Sequence, residues 1–175
     1  ESLGVMSKHL ERHIEKEDIF LRWLLFFDFT NRKIVSKLLG VSDGALSHFY
    51  RSMSRKNYIE MQHDPIAISG NKIIVLTRDG FNHAMSRHLD IKELKFKKSI
   101  APSMVRHQIF LQEFLVDLGL KSAHVVSDKI LRKTFENIIV PDSIALIDKQ
   151  RVAIEMELTR KKPAQIYHKF RRQIE

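Results

Sequence analysis

Two short amphipathic helices meet at Gly40-Val41-Ser42, and no other feature limits the fold so strongly. Residues 31–39 carry Ile34, Val35 and Leu38 on one face, and Gly40 stands where a helix ends on a left-handed residue. Ser42 is placed to cap the next helix, with Val41 before the cap. In that helix Leu46, Tyr50 and Met53 recur at i, i+4 and i+7, which predicts a buried stripe. The opposite face carries Asp43, Gly44, Ser47, His48, Arg51 and Arg55. Asn57 takes the place of the usual exit glycine. The result is a tight helix-turn-helix.

The flanks extend this unit. Glu15 to Phe27 reads as a preceding helix, broken at Asp28-Phe29-Thr30-Asn31. Tyr58–Gln62 and Lys72–Leu76 read as two strands around a polar loop with Pro65 and Gly70. Thr77-Arg78-Asp79-Gly80 then caps a helix to about Leu89. Over residues 15 to 89 this order, with its closing Leu-Thr-x-x-Gly, resembles the winged helix family of bacterial DNA-binding domains. The resemblance implies that the polar face of the third helix enters the major groove. Ser42, Ser47, His48, Arg51 and Arg55 are then the candidate DNA contacts, with Lys72 and His63 near the wing as phosphate contacts. Docking of another protein is the competing use of such a face.

The charge balance agrees with a polyanionic partner. There are 30 Lys+Arg against 21 Asp+Glu, a net charge of +9 and a pI near 9.8. Double-stranded DNA is the expected partner; the positive charge is spread along the chain, whereas a membrane surface would need one concentrated basic face. The longest apolar run, Trp23 to Phe27, is far too short to span a bilayer, so no membrane insertion is expected. Without cysteine or a visible signal peptide, a bacterial cytoplasmic location is expected. The first residue is Glu1 and the helix expected from Pro163 simply stops at Glu175, which reads as a fragment of a longer protein.

The organisation expected is a domain over 1–89, a basic linker over 90–100 and an α/β domain over 101–175, truncated at its C-terminus. The linker carries Lys92, Lys95, Lys97 and Lys98. A helix runs from Ala101-Pro102-Ser103 to Leu118, with Val105, Phe110, Phe114, Leu115 and Leu118 apolar and Gly119 closing it. Three extended runs follow, over Ala123–Lys133, Ser143–Ile147 and Val152–Thr159. In the last, Glu155 and Glu157 share a face by the strand period of two. A hairpin turn at Asp148-Lys149 puts Asp142 opposite Glu155, and a one-residue shift puts it opposite Glu157. Either register gathers three acids, which repel one another unless a hard cation such as Mg²⁺ or Mn²⁺ sits among them. An ordinary solvated strand face is the competing reading.

Pro141-Asp142 followed by Glu155-x-Glu157 resembles the PD-(D/E)XK nuclease superfamily, with Glu157 where that pattern has Lys. The resemblance implies that Asp142, Glu155 and Glu157 are catalytic metal ligands, that Lys161 or Lys162 supplies the missing positive charge, and that Glu113 is a candidate helix acid. With the winged helix first and Arg106-His107 opening the next helix, the order is similar to MobC-type plasmid relaxases and the related replication-relaxation proteins. That implies a site-specific nicking enzyme, acting at a plasmid transfer origin with accessory mobilisation proteins. The alternatives are a non-catalytic DNA-binding regulator or replication protein, and a restriction or repair nuclease. Tyr167 invites a nucleophile role, but Ile166, Phe170 and Ile174 beside it mark a buried helix face. Lys169, Arg171 and Arg172 on the same helix are candidate phosphate contacts or a plain basic face. His107 reads as a packing histidine, and His9 with His13 as an incidental surface pair.

Overall fold

The computed structural model describes residues 2–66, 72–135 and 138–158, with side chains from Lys8 onward except that of Asp43. Within these residues the chain is a mixed α+β structure with two small antiparallel sheets. The longest element is α1 (Ser2–Phe27). It starts well before the expected Glu15, because Lys8 to Glu15 is rich in helix-favouring charged residues but shows no apolar stripe that periodicity could detect. From Phe20 to Phe27 nearly every side chain is buried, as befits a helix surrounded on all sides.

After α1 come β1 (Phe29–Thr30), α2 (Arg32–Leu39), α3 (Asp43–Arg55), β2 (Ile59–His63), β3 (Lys72–Leu76) and α4 (Arg78–Arg87). The first sheet has the order β1-β3-β2, with Ile59 opposite Leu76 and His63 opposite Lys72. Local chemistry fixes each corner. Asn31 caps α2 by accepting from the Ile34 N–H at 2.9 Å. Gly40 ends α2 at φ 60, with Val41 N–H bonded to the Ser36 carbonyl at 3.1 Å and Gly40 N–H to that of Lys37 at 3.3 Å. Asn57, at φ 57, ends α3 through the same pair of bonds, from Tyr58 to Met53 and from Asn57 to Ser54. Ser42 sits at the N-cap position of α3 with the expected backbone, but its side chain makes no capping bond.

The Thr77–Gly80 step locks α4 onto the exit of α3. Thr77 accepts from Gly80 N–H at 3.0 Å, donates its hydroxyl to the Asn57 carbonyl, and donates its own N–H to the Tyr58 carbonyl at 3.0 Å. A Cβ on Gly80 would lie 1.9 Å from the Tyr58 oxygen, so no other residue fits there. Ion pairs stitch α4 and the residues after it to α1. Arg87 clamps Asp18 and Arg22 grips Asp90 through two bonds, and each arginine holds its partner carboxyl below the ordinary range.

The stretch 90–100 carries no helix or strand, yet it is pinned to the core. Ile91 and Leu94 are buried, Phe96 packs on Phe81 and under Arg78, and Lys97 pairs with Asp28. Then follow α5 (Pro102–Asp117), a 3₁₀ turn (Ser122–His124), β4 (Val125–Ser127), α6 (Asp128–Thr134), β5 (Ser143–Ile147) and β6 (Gln150–Ile154). The second sheet has the order β4-β5-β6. One sequence expectation fails here. The run Ala123–Lys133 is not one strand, because Ser127-Asp128 starts the helix α6. Of the apolar residues of α5, Val105 and Leu115 are buried but Phe114 and Leu118 are exposed, while Gln108 and Gln112 take buried positions.

One hydrophobic core runs through both halves, from Phe20 and Leu46 to Ala145 and Ile154. Buried polar bonds cross the same contact. The Trp23 indole N–H donates to Gln112 Oε1 at 2.8 Å, and Gln112 Nε2 donates to the Phe29 carbonyl at 2.9 Å.

Candidate functional site

Two surfaces hold the residues singled out by sequence. The first is the outer face of α3. Leu46, Tyr50 and Met53 are buried as expected, joined by Phe49, and anchor the helix to α1 and α2. Ser42, Ser47, His48, Arg51 and Arg55 are all exposed on the other side. His48, Arg51 and Arg55, with Ser52 and Lys56, line one shallow groove. Ser47 accepts from Arg32 of α2 at 2.8 Å, which adds a further cation to this face. Lys72 is exposed at the start of β3, opposite His63. The face is a cationic helix ridge held from beneath by the buried stripe.

The second surface is the β5–β6 hairpin and its approach. Asp148 and Lys149 form a two-residue turn at φ 48 and φ 66, and Ile147 pairs with Gln150 through to Ser143 with Ile154. This register is the one that sets Asp142 opposite Glu155. The ladder nonetheless stops at Ile154, so β6 is shorter than the expected Val152–Thr159 strand, and Glu155 and Glu157 lie past its end. The next residue pair in register is Pro141 with Met156, and proline has no N–H to give. Side chains supply what the ladder cannot. Asp142 Oδ2 accepts the Met156 N–H at 2.8 Å, and His107 Nε2 lies 3.0 Å from the Met156 carbonyl.

His107 Nε2 also lies 3.1 Å from Asp142 Oδ2. Both neighbours are acceptors, so Nε2 carries the proton. The hydrogen bond to Asp142 raises the His107 pKa above its ordinary value, against the opposing effect of burial. Nδ1 is buried and finds no partner among the described residues. One nitrogen is thus committed to the hairpin and the other is buried. His107 closes the strand end together with Asp142, whose own carbonyl receives the Asp128 N–H at the start of α6. The sequence marks His107 as a packing histidine; Pro141 opposite Met156 is the sign in it that a side chain is needed here.

The three acids fare differently. Asp142 is half-buried and engaged as described, Glu155 is half-buried and Glu157 is exposed. Among the described residues no three acidic or histidine side chains are grouped closely enough to hold a metal ion. Asp142 Oδ2 is already engaged by the Met156 N–H and by His107. Glu113 lies on α5 and pairs with Lys33 of α2 at 3.0 Å. Lys161, Lys162, Tyr167, Lys169, Arg171 and Arg172 lie outside the described residues.

Compared with protein-family models, curated proteins and solved structures, the chain gives no significant match. No described helix is long and apolar enough to cross a membrane.

Proposed function

We propose that this chain binds double-stranded DNA as a winged helix, with α3 as the helix that enters the major groove and the β2–β3 hairpin as the wing beside it. The observation that carries the reading is the division of α3. Its Leu46, Tyr50 and Met53 side is fully enclosed, and its Ser47, His48, Arg51 and Arg55 side is fully presented. A ridge of Arg, His and Ser offers donors suited to base edges and phosphates. The element order α1-β1-α2-α3-β2-β3, with β3 between β1 and β2, supports the same reading. The net charge of +9 supplies long-range attraction to the phosphate backbone.

Fluorescence anisotropy with a labelled duplex of arbitrary sequence tests this. Binding with Kd of about 10⁻⁶–10⁻⁴ M that weakens steeply with salt is the expected result for non-specific contact. No binding at low salt would refute it.

Metal-dependent nicking of a transfer origin, with accessory mobilisation proteins, is a second reading. The hairpin register favours it, since Asp142 falls opposite Glu155. The engagement of Asp142 by His107 and Met156 weighs against it. Conversion of supercoiled plasmid to nicked circles with Mn²⁺, lost in Asp142→Ala, would favour nicking over binding alone.

A further inference from the structure

The last strand leaves one side of its backbone open. β6 pairs with β5 and is the outer strand of the order β4-β5-β6, with no strand on its other side among the described residues. Gln150 to Ala153 are all exposed. Exposed sheet edges are usually blunted by proline, a bulge or an inward-pointing charge. β6 holds no proline, and its ladder runs from Gln150 to Ile154 without a skipped residue.

The turn decides which backbone groups face outward. Asp148-Lys149 is a two-residue loop, so Ile147 and Gln150 beside it exchange both hydrogen bonds. By alternation Val152 and Ile154 also turn their N–H and C=O toward β5, and Met156 turns its own toward Asp142 and His107. Arg151, Ala153 and Glu155, the last just past the end of β6, turn theirs toward the open edge. A strand that pairs there does so through these three.

Charge then selects the partner. A second, antiparallel β6 meets this edge about a twofold axis at Ala153. In that register Arg151 stands opposite Glu155 of the partner subunit, and by symmetry Glu155 stands opposite Arg151 of the partner subunit. Lys149 falls opposite Glu157 of the partner subunit. On the other face Val152, 38% exposed, falls opposite Ile154 of the partner subunit, which extends the apolar side of the sheet across the axis. An axis at Arg151 would set two arginines against each other, and an axis at Glu155 would set two glutamates. Like charges directly opposed repel, so the register at Ala153 is the self-complementary one.

We propose that two copies of this chain pair through β6 as antiparallel strands about a twofold axis at Ala153, held in register by Arg151–Glu155 ion pairs. Two three-stranded sheets then become one of six strands. The pair carries two α3 faces, the arrangement that a twofold DNA site engages. Pairing itself does not depend on DNA binding by α3, and its test uses no DNA.

Sedimentation velocity on the whole chain over a range of concentrations tests it. The interface is small, so a reversible monomer–dimer equilibrium with Kd of roughly 10–100 μM is expected. Arg151→Glu sets like charges opposite each other twice in the pair and should weaken association about tenfold or more. Arg151→Glu combined with Glu155→Arg restores opposite charges and should recover it. Ala153→Pro removes an N–H that faces the open edge and takes none from the β5 ladder, so it should abolish pairing while the melting temperature stays close to the parent's. In hydrogen exchange the Ala153 and Glu155 amides should gain protection as concentration rises. Three results would each overturn the proposal: a monomer up to roughly 1 mM, parent-like association by a folded Arg151→Glu, or protection of those amides that does not change with concentration. The last of these would assign the edge to residues 159–175 of the same chain.

Discussion

The indole of Trp23 on α1 donates to the side-chain oxygen of Gln112 on α5, 89 residues away, at 2.8 Å in the core. Gln112 passes the bond on to the Phe29 carbonyl at 2.9 Å, so one fully buried amide satisfies both an indole and a backbone group. Gln112→Leu keeps most of the volume but orphans both partners. About 2–4 kcal/mol of stability should be lost, from two unsatisfied groups at roughly 1–3 kcal/mol each with partial relaxation. Urea unfolding measures this, and a loss under half a kcal/mol, well below the ~1 kcal/mol floor for one orphaned group, would contradict it.

Two glycines should respond in opposite directions. A Cβ on Gly80 meets the Tyr58 carbonyl, which is backbone and cannot swing away. Gly80→Ala should cost about 1–3 kcal/mol or more. Gly44, inside α3, has open space around it, and Gly44→Ala should stabilise by up to about 1 kcal/mol through helix propensity. Melting temperatures of the two variants should fall on either side of the parent.

The His107–Asp142 contact makes the hairpin sensitive to pH. Folding raises the His107 pKa, so its contribution is complete below the unfolded value of about 6.5 and is lost as pH rises through the higher folded value. NMR titration should place His107 above an ordinary histidine, and Asp142→Asn should bring it down. A His107 pKa at or below the ordinary value would show that the contact does not form in solution.

Much of this was legible from sequence where a residue had only one conformation to choose. Gly40 announced the α2 stop, and Leu46, Tyr50 and Met53 gave the inner side of α3; the turn near Asp148-Lys149 left two hairpin registers open, and the chain takes the one with Asp142 opposite Glu155. What escaped depended on long-range partners. Ile130 and Leu131 suit a strand as well as a helix, and the Ser127-Asp128 start settled it. Gln112 looks like a surface residue until Trp23 and Phe29 are seen beside it. The reach expected for the third strand failed at Pro141, whose missing N–H handed Met156 to Asp142 and His107.

The outer face of α3 carries the central claim, and the salt dependence of duplex binding by the parent, Arg51→Ala and Arg55→Ala proteins tests it most directly. Each arginine that contacts a phosphate contributes about 0.9 to the slope of log K against log salt. The account predicts weaker binding and a slope shallower by about that amount in each variant, with folding unchanged because both side chains are exposed. Parent-like affinity and slope in both folded variants would contradict the claim that α3 meets DNA.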